Sequence, residues 1–224
     1  MHHKLIVFDW DGTLMDSEAR IVACMQGAIT DLAMPERSVD EIRNIIGLGL
    51  REAVATLFSD LSDEDYLALV DRYRYHFLVA DKTPSLLFDG VMDLLTSLLD
   101  KGHYLAVATG KGRAGLDKVL DETSLRSVFH ATKCADETFS KPHPQMLLDI
   151  MDELGMYASD TLMIGDTEYD LNMANNAGTA SLAVSYGVHS KQRLLECGPL
   201  HCVDSVYELS QYLLDDDAVV LTNA

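Results

Sequence analysis

Positive charge is scarce in this chain. Its 224 residues hold 17 Lys and Arg against 36 Asp and Glu, a formal net charge of −19. Nucleic acid and anionic membrane surfaces both demand a basic face, so neither fits as the main partner. The deficit also means that an anionic ligand must be captured by a few local cations against an adverse field. Long apolar runs are missing too: no stretch approaches the 18 residues that a membrane-crossing helix needs. The opening MHHK is too short and too polar for a secretory signal, and His2 and His3 are left out of any site. Cysteine is sparse. Cys24, Cys134, Cys197 and Cys202 match no zinc ribbon and no CxxC redox pair. Cys197 and Cys202 could pair, but without export free, mostly packed thiols are expected, in a cytoplasmic protein. Internal repeats and low-complexity segments are absent as well.

What the chain does have is core-forming material, with hydrophobic residues at 48%. Short runs that are apolar on both faces occur at LIVF (5–8), YLAVAT (104–109), TLMIG (161–165) and ASLAVS (180–185). Such runs suit strands of a parallel sheet covered by helices on both sides. Between them lie segments with helical spacing. Val91, Leu94, Leu95, Leu98 and Leu99 precede a stop at Gly102, and Leu147, Leu148, Met151 and Leu154 precede one at Gly155. The alternation predicts a doubly wound, Rossmann-like α/β core. Residues 16–83 break the rhythm with helices alone, started by Ser38 with Glu41 and Ser62 with Asp65. Tyr66, Leu69, Val70, Tyr73 and Phe77 form an apolar stripe there. The expected organisation is a core of residues 1–15 and 84–224 with a helical cap, 16–83, inserted after the first strand. The acidic end DDDAVVLTNA reads as a frayed tail or an added short strand.

In an open α/β sheet, ligands bind outside the carboxyl ends of the strands. Asp9 and Asp11 follow the first strand, Thr109, Gly110 and Lys111 the second, and Asp166 and Asp170 the run TLMIG; Lys141 opens the helix before that run. Each has an ordinary reading alone: a turn, a helix N-cap for Thr109, first-turn helix acids, a surface lysine. Together they are complementary. Several acids at one edge repel one another without a cation, and a lysine and a hydroxyl there suit an anion. A hard divalent cation, Mg²⁺ foremost, suits an all-oxygen ligand set.

The motifs DWDGT, VATG, SKPHP and IGDTEYD span residues 9 to 170 in order. By them the chain resembles the haloacid dehalogenase superfamily, in the helical-cap subgroup typified by phosphoglycolate phosphatase-like enzymes. The resemblance implies a phosphatase acting on a small, phosphoglycolate-like monoester through an aspartyl-phosphate. Asp9 would be the nucleophile, and Asp11 the acid and then the base. Mg²⁺ would take Asp9, Asp166 and the backbone carbonyl of Asp11. Thr109, Lys141 and the N–H groups near Trp10 and Gly110 would hold the phosphoryl oxygens. Asp170 would hold a metal-bound water or orient Lys141. Members that cleave carbon–halogen bonds carry a non-acidic residue where Asp11 stands, so Asp11 points to phosphoryl transfer. Specificity is expected from the cap, with Arg51 and Gly47 as candidates and Lys111 and Arg113 as weaker ones from the core. A sugar-phosphate mutase of the β-phosphoglucomutase type, a pyrophosphatase or nucleotidase, and a non-catalytic regulatory module remain alternatives. The oligomeric state is not legible.

Overall fold

A computed structural model describes residues 3–215. Residues 216–224 of the acidic tail, and His2, lie outside that range.

The chain opens with β1 (Leu5–Phe8), turns, and forms the two-residue strand β2 (Met15–Asp16). It then enters α1 (Glu18–Asp31), α2 (Val39–Asn44), α3 (Leu50–Leu57) and α4 (Asp63–Tyr75), the last continued by a π-helical turn, His76–Ala80. It returns through β3 (Leu86–Leu87), and β2 and β3 pair antiparallel, so both crossings lie side by side. After α5 (Val91–Asp100) come β4 (Tyr104–Thr109), α6 (Arg113–Thr123), β5 (Ala131–Cys134) and α7 (Gln145–Leu154). The chain ends with β6 (Thr161–Gly165), α8 (Glu168–Ala177), β7 (Ala180–Val184), α9 (Lys191–Leu195), β8 (Cys202–Val203) and α10 (Val206–Leu214).

Six strands form one sheet in the order β5-β4-β1-β6-β7-β8, and every pairing in it is parallel. Successive side chains of a strand point to opposite faces. Ile6 and Phe8 therefore face one core layer with Leu94, Leu98 and Leu116, whereas Leu5 and Val7 face the other with Met146, Ile150 and Met173. This is why LIVF is apolar throughout: it is the middle of the sheet, with helices on both sides. β5 and β8 escaped the sequence reading. They are the two edge strands, short and, in β5, half-exposed at the central Thr132 and Lys133.

Helix signals fared unevenly. Ser38 and Glu41 form a full capping box, whereas Ser62 accepts from the Asp65 N–H without the reciprocal backbone bond being present. In α7 the buried face is Met146, Leu147, Ile150 and Met151, and Leu148 is exposed. The buried face is displaced by about one residue from the expected stripe: Met146 and Ile150, on the N-terminal side of Leu147 and Met151, face the sheet, and Leu148 turns to solvent. Helices α1–α4 enclose a cluster of their own, built on Met25, Ile29, Ile42, Val54, Leu57 and Leu69. The four cysteines are free, three of them buried, so Cys197 and Cys202 are not paired.

Candidate active site

Because all six strands run the same way, their carboxyl ends meet at one edge. The register Phe8↔Val107 and Phe8↔Ile164 places Asp9, Thr109 and Asp166 at neighbouring strand tips. Asp9, Thr109, Lys141, Asp166 and Asp170 are all fully buried or nearly so. Lys141, from the loop before α7, reaches Asp9 Oδ1 at 2.5 Å and Asp170 Oδ1 at 2.6 Å. Asp170 is held by the N–H (3.1 Å) and hydroxyl (2.7 Å) of Thr167, in a capping box that starts α8. Its first-turn position and its place in the site are one arrangement.

Asp166 is enclosed on every side. Oδ1 accepts from the Thr13 hydroxyl at 2.8 Å and Oδ2 from the Val188 N–H at 2.9 Å. A Cβ on Gly12, whose φ is +84°, would lie 2.2 Å from Asp166 Oδ2, and one on Gly187 would lie 2.3 Å away. Only glycine fits at either place. Thr13, Thr167 and the 187–189 loop were missed in the sequence reading. Gly12 and Thr13 stood inside DWDGT, but nothing in the sequence marked the loop after β7.

The electrostatics follow from this burial. Asp9 has its pKa raised well above the ordinary carboxylate range, chiefly by desolvation, with Asp170, Asp166 and Asp11 adding to the shift and Lys141 opposing it. Asp166 is raised to about 7 by burial and then by Asp170, against the hydrogen bonds from Val188 and Thr13. Burial works against the Lys141 ammonium, but Asp170 and Asp9 outweigh it and push its pKa up. One lysine serves three buried acids. Ligand oxygens of Asp9, Asp166 and Asp170 lie within 4.8 Å of one another, and Asp9 Oδ2 is buried without a hydrogen-bond partner among the described residues. An all-oxygen cluster with surplus negative charge and an orphaned oxygen fits a hard divalent cation.

Other candidates stand elsewhere. The Asp11 carboxylate lies outside that cluster; its Oδ1 pairs with Lys111 at 2.9 Å and accepts from Ser17 at 2.5 Å. Lys111 also stands 4.5 Å over the Phe77 ring, so its charge is already engaged, which weakens it as a specificity residue. Thr109 is not a helix N-cap: Gly112 holds that place in α6, and Thr109 Oγ1 accepts from the Lys111 N–H at 3.2 Å. Arg113 is tied to Glu137 through two bonds (2.7 and 3.1 Å) and to Thr132, so its guanidinium is already engaged within the core. The Trp10 ring is fully buried, set edge-on against Phe129, so it anchors the core beneath the site.

The helical insert lies directly on this edge. Tyr169 donates to the Asn44 carbonyl at 2.8 Å, Arg193 to Asn44 Oδ1 at 2.6 Å, and the Gly49 N–H to Ser140 Oγ at 2.7 Å. Gly47, with φ +99°, and Leu48 pass so close that a Cβ on Gly110 would lie 2.5 Å from the Leu48 carbonyl and 2.6 Å from that of Gly47. Gly110→Ala is therefore expected to lift the loop, lowering kcat/KM by about 10²-fold for any substrate that needs the closed arrangement. Limited proteolysis should show the 45–50 loop cut faster in that variant; unchanged kinetics and unchanged cleavage would refute the close approach. Between insert and core a cavity of about 540 Å³ opens beside Asp11, with Gly47, Arg51, Gly110 and Lys111 on its walls.

A parallel α/β sheet with a lysine-bridged acid cluster at its carboxyl edge and a helical insert over it defines a class of hydrolase. The chain belongs to the haloacid dehalogenase-like hydrolases, whose family model matches residues 6–184. It is 38% identical over 209 residues to the "Probable phosphatase IndB" of Dickeya dadantii, covering 92% of this chain and 91% of that one. It is 30% identical over 224 residues to a "Phosphoglycolate phosphatase" of Pseudomonas syringae pv. syringae, covering 97% and 82%. Among solved structures, that of a "predicted phosphatase from Clostridium acetobutylicum" superposes with a TM-score of 0.86 at 27% identity, covering 96% of this chain and 99% of that one. Among the described residues no helix is long and apolar enough to cross a membrane.

Proposed function

We propose that this protein is a Mg²⁺-dependent phosphatase that hydrolyses the phosphate monoester of a small cytoplasmic metabolite through an aspartyl-phosphate. The observation that carries the reading is the orphaned Asp9 Oδ2 inside a buried three-carboxylate cluster. Asp9, Asp166 and the Asp11 carbonyl would hold the ion, with Asp170 beside them. When bound, Mg²⁺ neutralises the clustered carboxylates and the phosphoryl oxygens. Asp9 attacks phosphorus, the bond to the alcohol oxygen breaks, and Asp11 gives that oxygen a proton. Asp11 then takes a proton from water, whose oxygen attacks phosphorus. The bond to Asp9 breaks, and inorganic phosphate leaves. Lys141 and Thr109, with the N–H groups near Gly110, stabilise the transferring group's charge. Residues 16–83 act as a cap that keeps bulk water from the reacting centre.

The test is phosphate release from p-nitrophenyl phosphate by the pure protein. Activity should vanish in EDTA, return with Mg²⁺ and fail to return with Ca²⁺, which prefers looser and higher coordination. Full activity in EDTA would end the metal reading.

A pH dependence follows from Asp166. Its folded pKa, about 7, lies above the ordinary 3.8, so the metal-free folded state holds more protons between those values. Stability contributed at low pH is therefore lost as pH rises from about 4 through about 7. Mg²⁺ competes with those protons. Its effect on Tm is expected to be larger at pH 8 than at pH 5.5, measured by calorimetry; an equal or opposite trend would contradict the buried-acid account.

A further inference from the structure

The cavity between insert and core is far larger than a two-carbon leaving group requires. At about 540 Å³ it falls in the ~300–1,000 Å³ range of pockets that enclose drug-sized ligands. Its walls are mostly apolar. One side is the stripe that α4 and its π-helical continuation present at helical spacing: Tyr66, Val70, Tyr73 and Phe77. Tyr73 and Phe77 stack with centroids 6.0 Å apart at 24°, and Lys111, paired with Asp11, stands 4.5 Å over the Phe77 ring, so the aromatic wall begins directly at that ion pair. At Tyr66 the Arg51 guanidinium stands 5.9 Å from the ring centroid, and Arg51 has no carboxylate partner among the described residues. Of the other cations on the walls, Lys111 is neutralised by Asp11, and Arg74 lies 4.0 Å from Asp71.

A site for a carboxylate-bearing two-carbon alcohol would need a compact cationic pocket next to the phosphate. The cation nearest Asp11 is already paired, and beyond it the surface is aromatic. From this we infer that the alcohol released by this phosphatase carries a planar aromatic or heteroaromatic ring, which lies against the aromatic wall at Tyr66 and Tyr73, beside Arg51. The inference rests on the phosphatase reading and narrows it. Aromatic faces accept planar rings with little regard to their substituents, and an arginine plane extends such a face while donating to ring oxygens or nitrogens. A leaving group of glycolate size would leave this surface wetted and its stacking unused.

The experiment compares kcat/KM, with Mg²⁺ present, for four esters of primary or α-hydroxy alcohols. Uridine 5′-monophosphate and pyridoxine 5′-phosphate bear rings; glycerol 3-phosphate and 2-phosphoglycolate do not. The ring-bearing pair is expected to lead by about 10-fold or more, the scale of stacking on one aromatic side chain. The two ring-bearing arms separate a nucleoside from a simpler heterocycle. Tyr66→Ala should bring the ratio of ring-bearing to ring-free substrates toward one, and Tyr66→Phe should preserve it; a folding defect would lower all four rates together in both variants. Equal or better turnover of 2-phosphoglycolate, or a ratio indifferent to Tyr66→Ala, would overturn the inference while leaving the phosphatase intact. Failure on all four esters and on p-nitrophenyl phosphate would instead overturn the phosphatase reading.

Discussion

Asp9→Asn is expected to cost on the order of 10⁴–10⁶-fold in kcat, the scale on which nucleophile removal acts in covalent catalysis. An amide oxygen cannot form the acyl-phosphate, and the near-isosteric side chain leaves the packing of β1 undisturbed. The fold should not suffer. Asp9 is wholly buried among Asp166, Asp170 and Lys141, and its raised pKa says that its charge is carried at a cost to the folded state. Lys141 keeps Asp170 at 2.6 Å when Asp9 loses its charge. Thermal melting of the variant should therefore match or exceed the parent at neutral pH. Steady-state phosphate release and the melt are measured on one preparation. An active variant would remove Asp9 from the nucleophile role; an inactive but unfolded one would show that the buried charge is structural.

Asp11→Asn is expected to lower turnover by ~10²–10⁴-fold, the range for losing a general acid and base. Here the structure adds something. Asp11 Oδ1 is the acceptor for Ser17 and the partner of Lys111, whose side chain is only 6% exposed. Asparagine keeps an oxygen acceptor for Ser17 but leaves the ammonium without its counter-charge. A stability loss of about 1.5–3 kcal/mol is expected alongside the kinetic one, the usual scale for a hydrogen bond to a charged group. The Tm increment produced by Mg²⁺ should survive, because the Asp11 carboxylate lies outside the three-acid cluster. Loss of that increment would place the carboxylate among the metal ligands. A variant that releases a burst of nitrophenolate from p-nitrophenyl phosphate but gives no burst of alcohol from alkyl phosphates would mark Asp11 as the leaving-group acid. Nitrophenolate departs without a proton, while the slow breakdown of the aspartyl-phosphate reports the lost base.

What the sequence by itself determined is what short-range pattern encodes. Runs apolar on both faces specify central parallel strands, and the period of 3.6 specifies their covering helices. The acids following β1 and β6 then come to one edge, because parallel strands end together. The edge strands β5 and β8 were not legible, since a short strand with one open side carries no continuous apolar run. The tertiary structure alone decided which groups meet. Lys141 reaches Asp9 across 132 positions and Thr13 reaches Asp166 across 153, and no local period records separations of that length. The pairing of Lys111 with Asp11, the enclosure of Asp166 by the loop after β7, and the aromatic cavity beside Asp11 are of the same kind. The first two depend on which strand-tip loops the sheet order makes neighbours, and the cavity on how the insert packs on the sheet edge; neither follows from the order of residues within one segment.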